Sequence, residues 1–169
     1  PAPYAAPAAY YFPNAGRMYA IEVLKGSSQV QYGPFTTGGA INMVSTPIPS
    51  KFSLKANASY GSYNTLKSYF SVGNRFKYTG FIIEYLRYQS DGFRKDVPNG
   101  RTGFKRNDII AKFAAQTNNE EGLNHLFELK FGFANETSDE TYLGLSEQDF
   151  ALRPYYRYAG AQKDNLKTR

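Results

Sequence analysis

Short segments of strictly alternating polarity constrain the fold of this chain more than any other feature. In the clearest of them, four apolar residues alternate with two charged residues and a glycine: Phe127, Glu128, Leu129, Lys130, Phe131, Gly132 and Phe133. Successive side chains of a β-strand point to opposite faces, whereas a helix repeats every 3.6 residues. The segment therefore predicts a strand that is apolar on one face and polar on the other.

Four further segments with this period precede the clearest one. Their alternating positions fall in four ranges: 51–60, 66–72, 81–86 and 108–116. Residues that favour turns separate the segments, at positions 61–64, 73–74, 90–92 and 118–122. The sequence therefore predicts about five consecutive antiparallel strands between Lys51 and Asn135, each about ten residues long.

The alternation also predicts which side chains share a face. We expect the apolar face to carry Phe52, Leu54, Phe113, Phe127, Leu129 and Phe131, and the polar face to carry Lys55, Glu84, Lys112, Glu128 and Lys130. A soluble antiparallel sheet has this pattern, with its core on one face and water on the other. A transmembrane β-barrel has it too, with lipid outside and a polar lumen inside. Alternation alone does not distinguish the soluble sheet from the barrel, and proteins show it more often in soluble sheets.

Composition narrows the class of protein. Aromatic residues make up 17% of the chain but apolar residues only 41%, which favours strands over a large aliphatic core. The chain has no cysteine, which excludes disulfides and thiolate chemistry. No stretch approaches the roughly 18 apolar residues of a transmembrane helix. The net charge of +6 favours an anionic partner without distinguishing nucleic acid, lipid phosphate or an anionic ligand.

Candidate catalytic groups are few. His125 is the single histidine and lies beside a predicted turn, where a surface role is favoured over metal ligation or base catalysis. Glu84 and Glu128 both fall on the predicted polar face, which favours lining of a lumen over a paired-carboxylate site. The glycine-rich stretch at 33–39 lacks the Gly-Lys-Ser/Thr of a phosphate-binding loop. We expect neither enzymatic activity nor a catalytic, metal or cofactor site.

The segment before Pro47 differs from the alternating region. Within an apolar run from Met18 to Leu24, the residues Ile21 to Leu24 predict a short strand that ends at Gly26, and Ile41 to Val44 predict a second strand. Between them, Ser27 or Ser28 favours the start of a brief helical turn. Two prolines, Pro47 and Pro49, interrupt sheet hydrogen bonding and predict a linker to the alternating region.

The same segment resembles the plug region of TonB-dependent receptors. Three stretches carry the resemblance in order and spacing: Ile21-Glu22-Val23-Leu24-Lys25-Gly26, then Ser27 to Pro34, then Gly38-Gly39-Ala40-Ile41-Asn42-Met43-Val44. Within them the candidate plug-motif residues are Glu22, Gly26, Gly33, Gly38 and Gly39. Flanking segments are similar to the ferric-citrate (iron dicitrate) receptor branch: Ala2-Pro3-Tyr4, Tyr10 to Pro13, and Asp139 to Leu145. Gly38 and Gly39 would allow close backbone approach that a side chain forbids.

The resemblance implies a membrane all-β fold, a plugged barrel of about 22 strands in the bacterial outer membrane. This chain would be a fragment, with the C-terminal part of the α+β plug at residues 1–48 and the first strands and external loops of the barrel at 49–169. The implied function is TonB-dependent active transport of a ferric chelate, either ferric citrate or a siderophore. Implied partners are TonB with its inner-membrane energising complex, the chelate, and outer-membrane lipid and lipopolysaccharide. The TonB-contact segment would lie outside this chain.

Two regions are candidate ligand contacts under that resemblance. One is the apical turn Pro34 to Thr37, and the other is a cluster after Tyr142 formed by Arg153, Tyr155, Tyr156 and Arg157. Arginine matches carboxylate oxygens in a fork, and tyrosine offers a hydroxyl and a ring. An equally favoured interpretation is that the cluster lies on a solvated external loop and contacts lipopolysaccharide phosphates.

The competing class is a soluble β-rich module that binds nucleic acid or polysaccharide. Single-stranded nucleic acid is bound by aromatic side chains that lie among cations. Here the aromatic residues share a predicted face with aliphatic ones, away from Lys55, Lys112 and Lys130. The pattern therefore favours the transporter, and we expect no nucleic-acid partner.

Overall fold

The computed structural model describes residues 13–26, 39–94, 102–117, 122–139, 144–158 and 167–168. The N-terminal part has a short 3-10 helix at Ala15–Arg17 and two antiparallel strands, β1 (Met18–Leu24) and β2 (Ala40–Ser45). A second sheet follows in chain order: β3 (Ser53–Gly61), β4 (Thr65–Arg75), β5 (Thr79–Ser90), β6 (Phe104–Gln116), β7 (Leu126–Asp139) and β8 (Lys167–Thr168). One short helix, α1 (Glu147–Leu152), lies between β7 and β8.

Each strand of the larger sheet pairs antiparallel with the next one along the chain. The prediction of five consecutive antiparallel strands is therefore confirmed by β3 to β7, and β1 and β2 confirm the two predicted N-terminal strands. The pairing of β8 was absent from the prediction, because two residues are too few to show a period. Helix α1 was absent too, although Ser146 caps it by accepting from the backbone N–H of Asp149.

Gly39 shows why glycine is needed at the start of β2. It has a φ of +139°, and a Cβ at this position would lie 2.8 Å from the carbonyl oxygen of Leu24. This confirms the predicted close backbone approach at Gly39. Gly33, Gly38, the capped turn after Gly26 and the apical turn at 34–37 lie outside the described residues.

The predicted turn at Gly73-Asn74 is wrong. Both residues lie inside β4, and the turn follows at residues 76–78. A Cβ at Gly73 would lie 2.8 Å from the side chain of Pro49, so this glycine makes room for packing rather than for a turn.

The segment with Pro47 and Pro49 lies outside regular structure but packs against the sheet. Ile48 is buried against Ile82 of β5 and Ala114 of β6. A Cβ at Gly80 would lie 2.9 Å from Ile48, so glycine again allows the approach. The linker prediction holds for the backbone, and the structure adds that this segment fixes the N-terminal part onto the sheet.

Candidate functional site: the interface between the N-terminal unit and the sheet

The register of the sheet separates two faces. Cross-strand partners share a face, as Ser71, Glu84 and Ile110 do on one and Val72, Ile83 and Ala111 do on the other. The first face, here called the polar face, carries the predicted polar set Lys55, Glu84, Lys112, Glu128 and Lys130. The second, here called the apolar face, carries Leu54, Phe113, Phe127, Leu129 and Phe131. Phe52 precedes β3 and is exposed.

The N-terminal unit, defined as residues 13–26 and 39–46, contacts the polar face through a buried ion pair. Nε of Arg17 lies 2.8 Å from Oδ1 of Asp108 on β6, with the side chains 9% and 1% exposed. Arg17 ends the 3-10 helix, whose start is capped by Asn14. The Nε hydrogen makes no hydrogen bond within the described ranges, so the contact with Asp108 is chiefly electrostatic. It places a cation of the N-terminal unit directly on a strand of the sheet.

Further charges continue from this pair along the polar face. A terminal nitrogen of Arg106 lies 3.8 Å from Oδ2 of Asp108, and its other terminal nitrogen lies 2.7 Å from Glu136 on β7. The Arg106–Glu136 contact is also a hydrogen bond. Cations and anions therefore alternate from the N-terminal unit across β6 to β7, which lets each charge have an opposite neighbour.

A second contact is centred on Glu84, which is fully buried on β5. The hydroxyl of Thr46 donates to its Oε1 at 2.7 Å, and the hydroxyl of Tyr69 on β4 donates to the same oxygen at 2.6 Å. These hydrogen bonds replace water at Oε1 and so lower the cost of burying the carboxyl group. Glu84 therefore joins the end of the N-terminal unit to two strands of the sheet.

Ser45 forms the third contact between the unit and the sheet. Nζ of Lys112 lies 3.5 Å from its carbonyl oxygen, and Nζ of Lys130 lies 3.2 Å from its hydroxyl. Lys112 is buried while Lys130 is exposed. Arg17, Ser45 and Thr46 therefore hold the unit on the polar face through hydrogen bonds and charges. Ile48, which follows the unit, adds the main apolar contact.

The apolar face is exposed to solvent along β3 to β7. Large side chains on it are exposed on all five main strands: Leu54, Phe70, Ile83, Tyr85, Ile109, Phe113, Phe127, Leu129, Phe131 and Phe133. From Ile109 to Ala115 on β6 the band extends about 20 Å, at roughly 3.4 Å per residue. At its edge the Tyr85 hydroxyl donates to Asn107, which also accepts from Arg87. An exposed apolar patch of this breadth with a polar rim marks a surface that meets something other than water.

The candidate plug-motif residues that the structure describes lie in or next to the paired strands β1 and β2. Glu22 and Asn42 are cross-strand partners, and the Asn42 amide donates to Glu22 at 2.8 Å. Gly26 follows β1 with a φ of +74°, and Gly39 precedes β2. These residues shape this pair of strands, whereas the contacts to the sheet come from neighbouring residues.

The candidate ligand cluster follows α1. Arg153 follows α1 directly and is half-exposed. Its guanidinium lies 3.3 Å from Asp149 of that helix and 5.8 Å from the ring centre of Tyr156. Tyr155 is exposed, whereas Arg157 is buried. The cluster therefore offers one accessible guanidinium rather than two.

The contacts that place the N-terminal unit on the sheet were not predicted from the sequence. Asp108 was assigned to a strand face without a partner, and Arg17, Thr46 and Tyr69 were not singled out. The available signal was a charge or hydroxyl at a polar-face position of a strand, or just outside an apolar run. Such a signal does not identify partners, because Arg17 and Asp108 are far apart in the sequence.

No protein-family model matches this chain, and no solved structure matches it significantly. Among the residues that the structure describes, no helix is long and apolar enough to cross a membrane. Over the same residues, no group of three or more His, Asp or Glu side chains is placed to hold a metal ion. The family resemblance therefore rests on the motifs of the sequence.

Proposed function

We propose that the parent of this chain is a TonB-dependent transporter that imports a ferric chelate, ferric citrate or a siderophore, across the bacterial outer membrane. The observation that carries the proposal is the two-faced sheet. Its polar face holds the N-terminal unit through Arg17, Ser45 and Thr46, and its apolar face is exposed to solvent. The unit on the polar face is the one that contains the plug-like motif.

Lipid is the surrounding that suits the apolar face. Each Å² of apolar surface left in water costs about 25 cal/mol, which disfavours a water-exposed band of this width. Tyr85 lies at the edge of the band, as aromatic residues do at the edges of the apolar belt of membrane barrels. Backbone groups at an open sheet edge in hydrocarbon cost several kcal/mol each, so the proposal requires further strands of the parent to close the wall.

The proposed cycle involves no chemical change in the substrate. The two longest connections of the larger sheet, residues 91–103 and 140–166, leave the same end of the sheet, which suits external capture. TonB would then pull on the plug, and the polar contacts of Arg17, Glu84 and Ser45 would exchange for contacts with water. Water can replace hydrogen bonds and ion pairs at a smaller cost than it can replace a large apolar interface.

Uptake of radioactive iron tests this function. Cells that express the full-length parent as their single ferric-citrate receptor should accumulate iron supplied as ferric citrate or as a siderophore complex, and deletion of TonB should abolish accumulation. Equal accumulation with and without TonB would contradict the energised mechanism. Uptake of nickel or cobalamin in place of every ferric chelate would overturn the substrate class.

A further inference from the structure

A cavity of about 480 Å³ separates the N-terminal unit from strands β3 and β4. The 3-10 helix and the start of β1 form one wall, with Gly16, Arg17, Met18 and Tyr19. The other wall is formed mainly by polar-face residues of β3 and β4: Lys55, Asn57, Ser59, Lys67 and Tyr69. The volume is in the range of pockets that hold small molecules.

The lining of this cavity is basic. It includes Arg17, Lys55 and Lys67 and no acidic residue. Arg17 is engaged with Asp108, but neither lysine forms a salt bridge with any residue that the structure describes. Two exposed ammonium groups therefore face one cavity without a counter-charge from the described part of the chain.

Two neighbouring groups favour an anion in this cavity. The Asn57 side chain makes no hydrogen bond with the described residues, and its amide can donate to an oxygen. Gly16 leaves room for Lys67, since a Cβ there would lie 3.1 Å from Nζ of that lysine. The ammonium of Lys67 thus reaches the cavity wall formed by the N-terminal unit.

We propose that this cavity binds a small polycarboxylate through Lys55 and Lys67, with Asn57 as a donor between them. Lys67 pairs with Ser59, four residues beyond Lys55 along β3, so the backbones of the two lysines are offset by about 13 Å along the strands. Flexible stems let them approach, but the separation suits an anion with several carboxylates better than a single carboxylate. The choice of carboxylate rests on the proposed function, because the cavity lies between the unit and the wall where a transported chelate would pass.

Citrate titration of the purified full-length protein, followed by calorimetry, tests the site. Replacing both lysines, Lys55→Gln with Lys67→Gln, should weaken citrate binding at least tenfold. The matched control is Lys51→Gln with Lys105→Gln, which removes the same charge from exposed positions outside the cavity and should leave the affinity unchanged. Acetate, with one carboxylate, should bind the unmodified protein at least tenfold more weakly than citrate.

A charge-preserving variant separates loss of the site from loss of the fold. Lys55→Arg with Lys67→Arg should keep citrate affinity within about threefold of the unmodified protein. The inference is overturned if the unmodified protein binds no citrate, if the double Gln variant binds it equally well, or if the control pair loses as much. Iron uptake is measured separately, so citrate binding without uptake would retain this site and reject the transport function.

Discussion

Arg17 and Asp108 form an ion pair across the interface between the N-terminal unit and the sheet, with 2.8 Å between Nε and Oδ1. Both side chains are buried. Burial removes water from both charges, so such a pair contributes little net stability, whereas loss of one partner leaves a costly isolated charge. The pair therefore acts chiefly to fix where the unit lies on the polar face.

Removal of Arg17 should destabilise the protein far more than removal of an exposed arginine. Arg17→Ala leaves the buried carboxylate of Asp108 with Arg106 alone, at 3.8 Å, and should lower the free energy of unfolding by about 3 to 5 kcal/mol. Arg153→Ala breaks the exposed pair with Asp149 and should cost at most about 1 kcal/mol. Urea unfolding of the full-length protein in detergent measures both, and similar losses would contradict the proposed role of the pair.

Two tyrosine substitutions test how much the hydrogen bond to the buried Glu84 contributes to stability. Tyr69→Phe removes a hydrogen bond to the buried Glu84, so the free energy of unfolding should fall by about 1.5 to 3 kcal/mol. Tyr85→Phe removes a hydrogen bond to the neutral Asn107 on the other face, with an expected loss of about 0.5 to 1.5 kcal/mol. The same unfolding measurement compares them. A larger loss for Tyr85→Phe would show that Glu84 does not depend on Tyr69.

The main strands could be predicted because their signal is local. In β7, Phe127 to Phe133 alternate with charged or small residues, and the period alone indicates a strand with two different faces. The contacts of Arg17 and Thr46 could not be predicted in this way. Their partners, Asp108 and Glu84, become neighbours only when the N-terminal unit packs on the sheet, and the sequence period contains no information on that packing.

The prediction was wrong at a glycine that makes room for packing. Gly73 was assigned to a turn on composition, yet it lies within β4, where a Cβ would lie 2.8 Å from the side chain of Pro49. Arg157 likewise shared a segment with Arg153 and was grouped with it, although the fold buries one and exposes the other. Burial of a connecting segment depends on tertiary contacts that residue type does not reveal.

An arginine on the apolar face should impair membrane assembly. Leu129 is exposed on β7, and Leu129→Arg should cost about 2 to 4 kcal/mol if that position lies near the bilayer midplane. Lys130→Ala, on the polar face, should reduce the assembled fraction less. Leu123→Arg places the same charge in the turn before β7 and serves as the matched control. If Leu129→Arg and either of the other two variants gave equal assembled fractions, Leu129 would not lie on a face that meets lipid.

Capture of the chelate should depend on the exposed arginine of the cluster. Arg153→Ala combined with Arg157→Ala should weaken chelate binding at least tenfold, since a charged hydrogen bond contributes about 1.5 to 3 kcal/mol. Because Arg157 is buried, Arg153→Ala alone should account for most of the loss in affinity. Arg75→Ala, at the opposite end of the sheet, is the control. Equilibrium binding to the full-length protein measures the affinity, and an unchanged value for the double variant would exclude the cluster from the site.

We propose that one face of the sheet meets lipid, while the other face holds the N-terminal unit. This chain has no cysteine, so single spin labels can be placed at Leu129→Cys and Lys130→Cys in the parent, after replacement of any other cysteine. Electron paramagnetic resonance then compares collision of each label with oxygen, which concentrates in lipid, and with a water-soluble nickel chelate. We predict that the label at 129 collides mainly with oxygen and that the label at 130 is shielded from lipid. Equal collision rates at the two positions, or a label at 129 that collides mainly with the nickel chelate, would contradict the account and favour a soluble binding module.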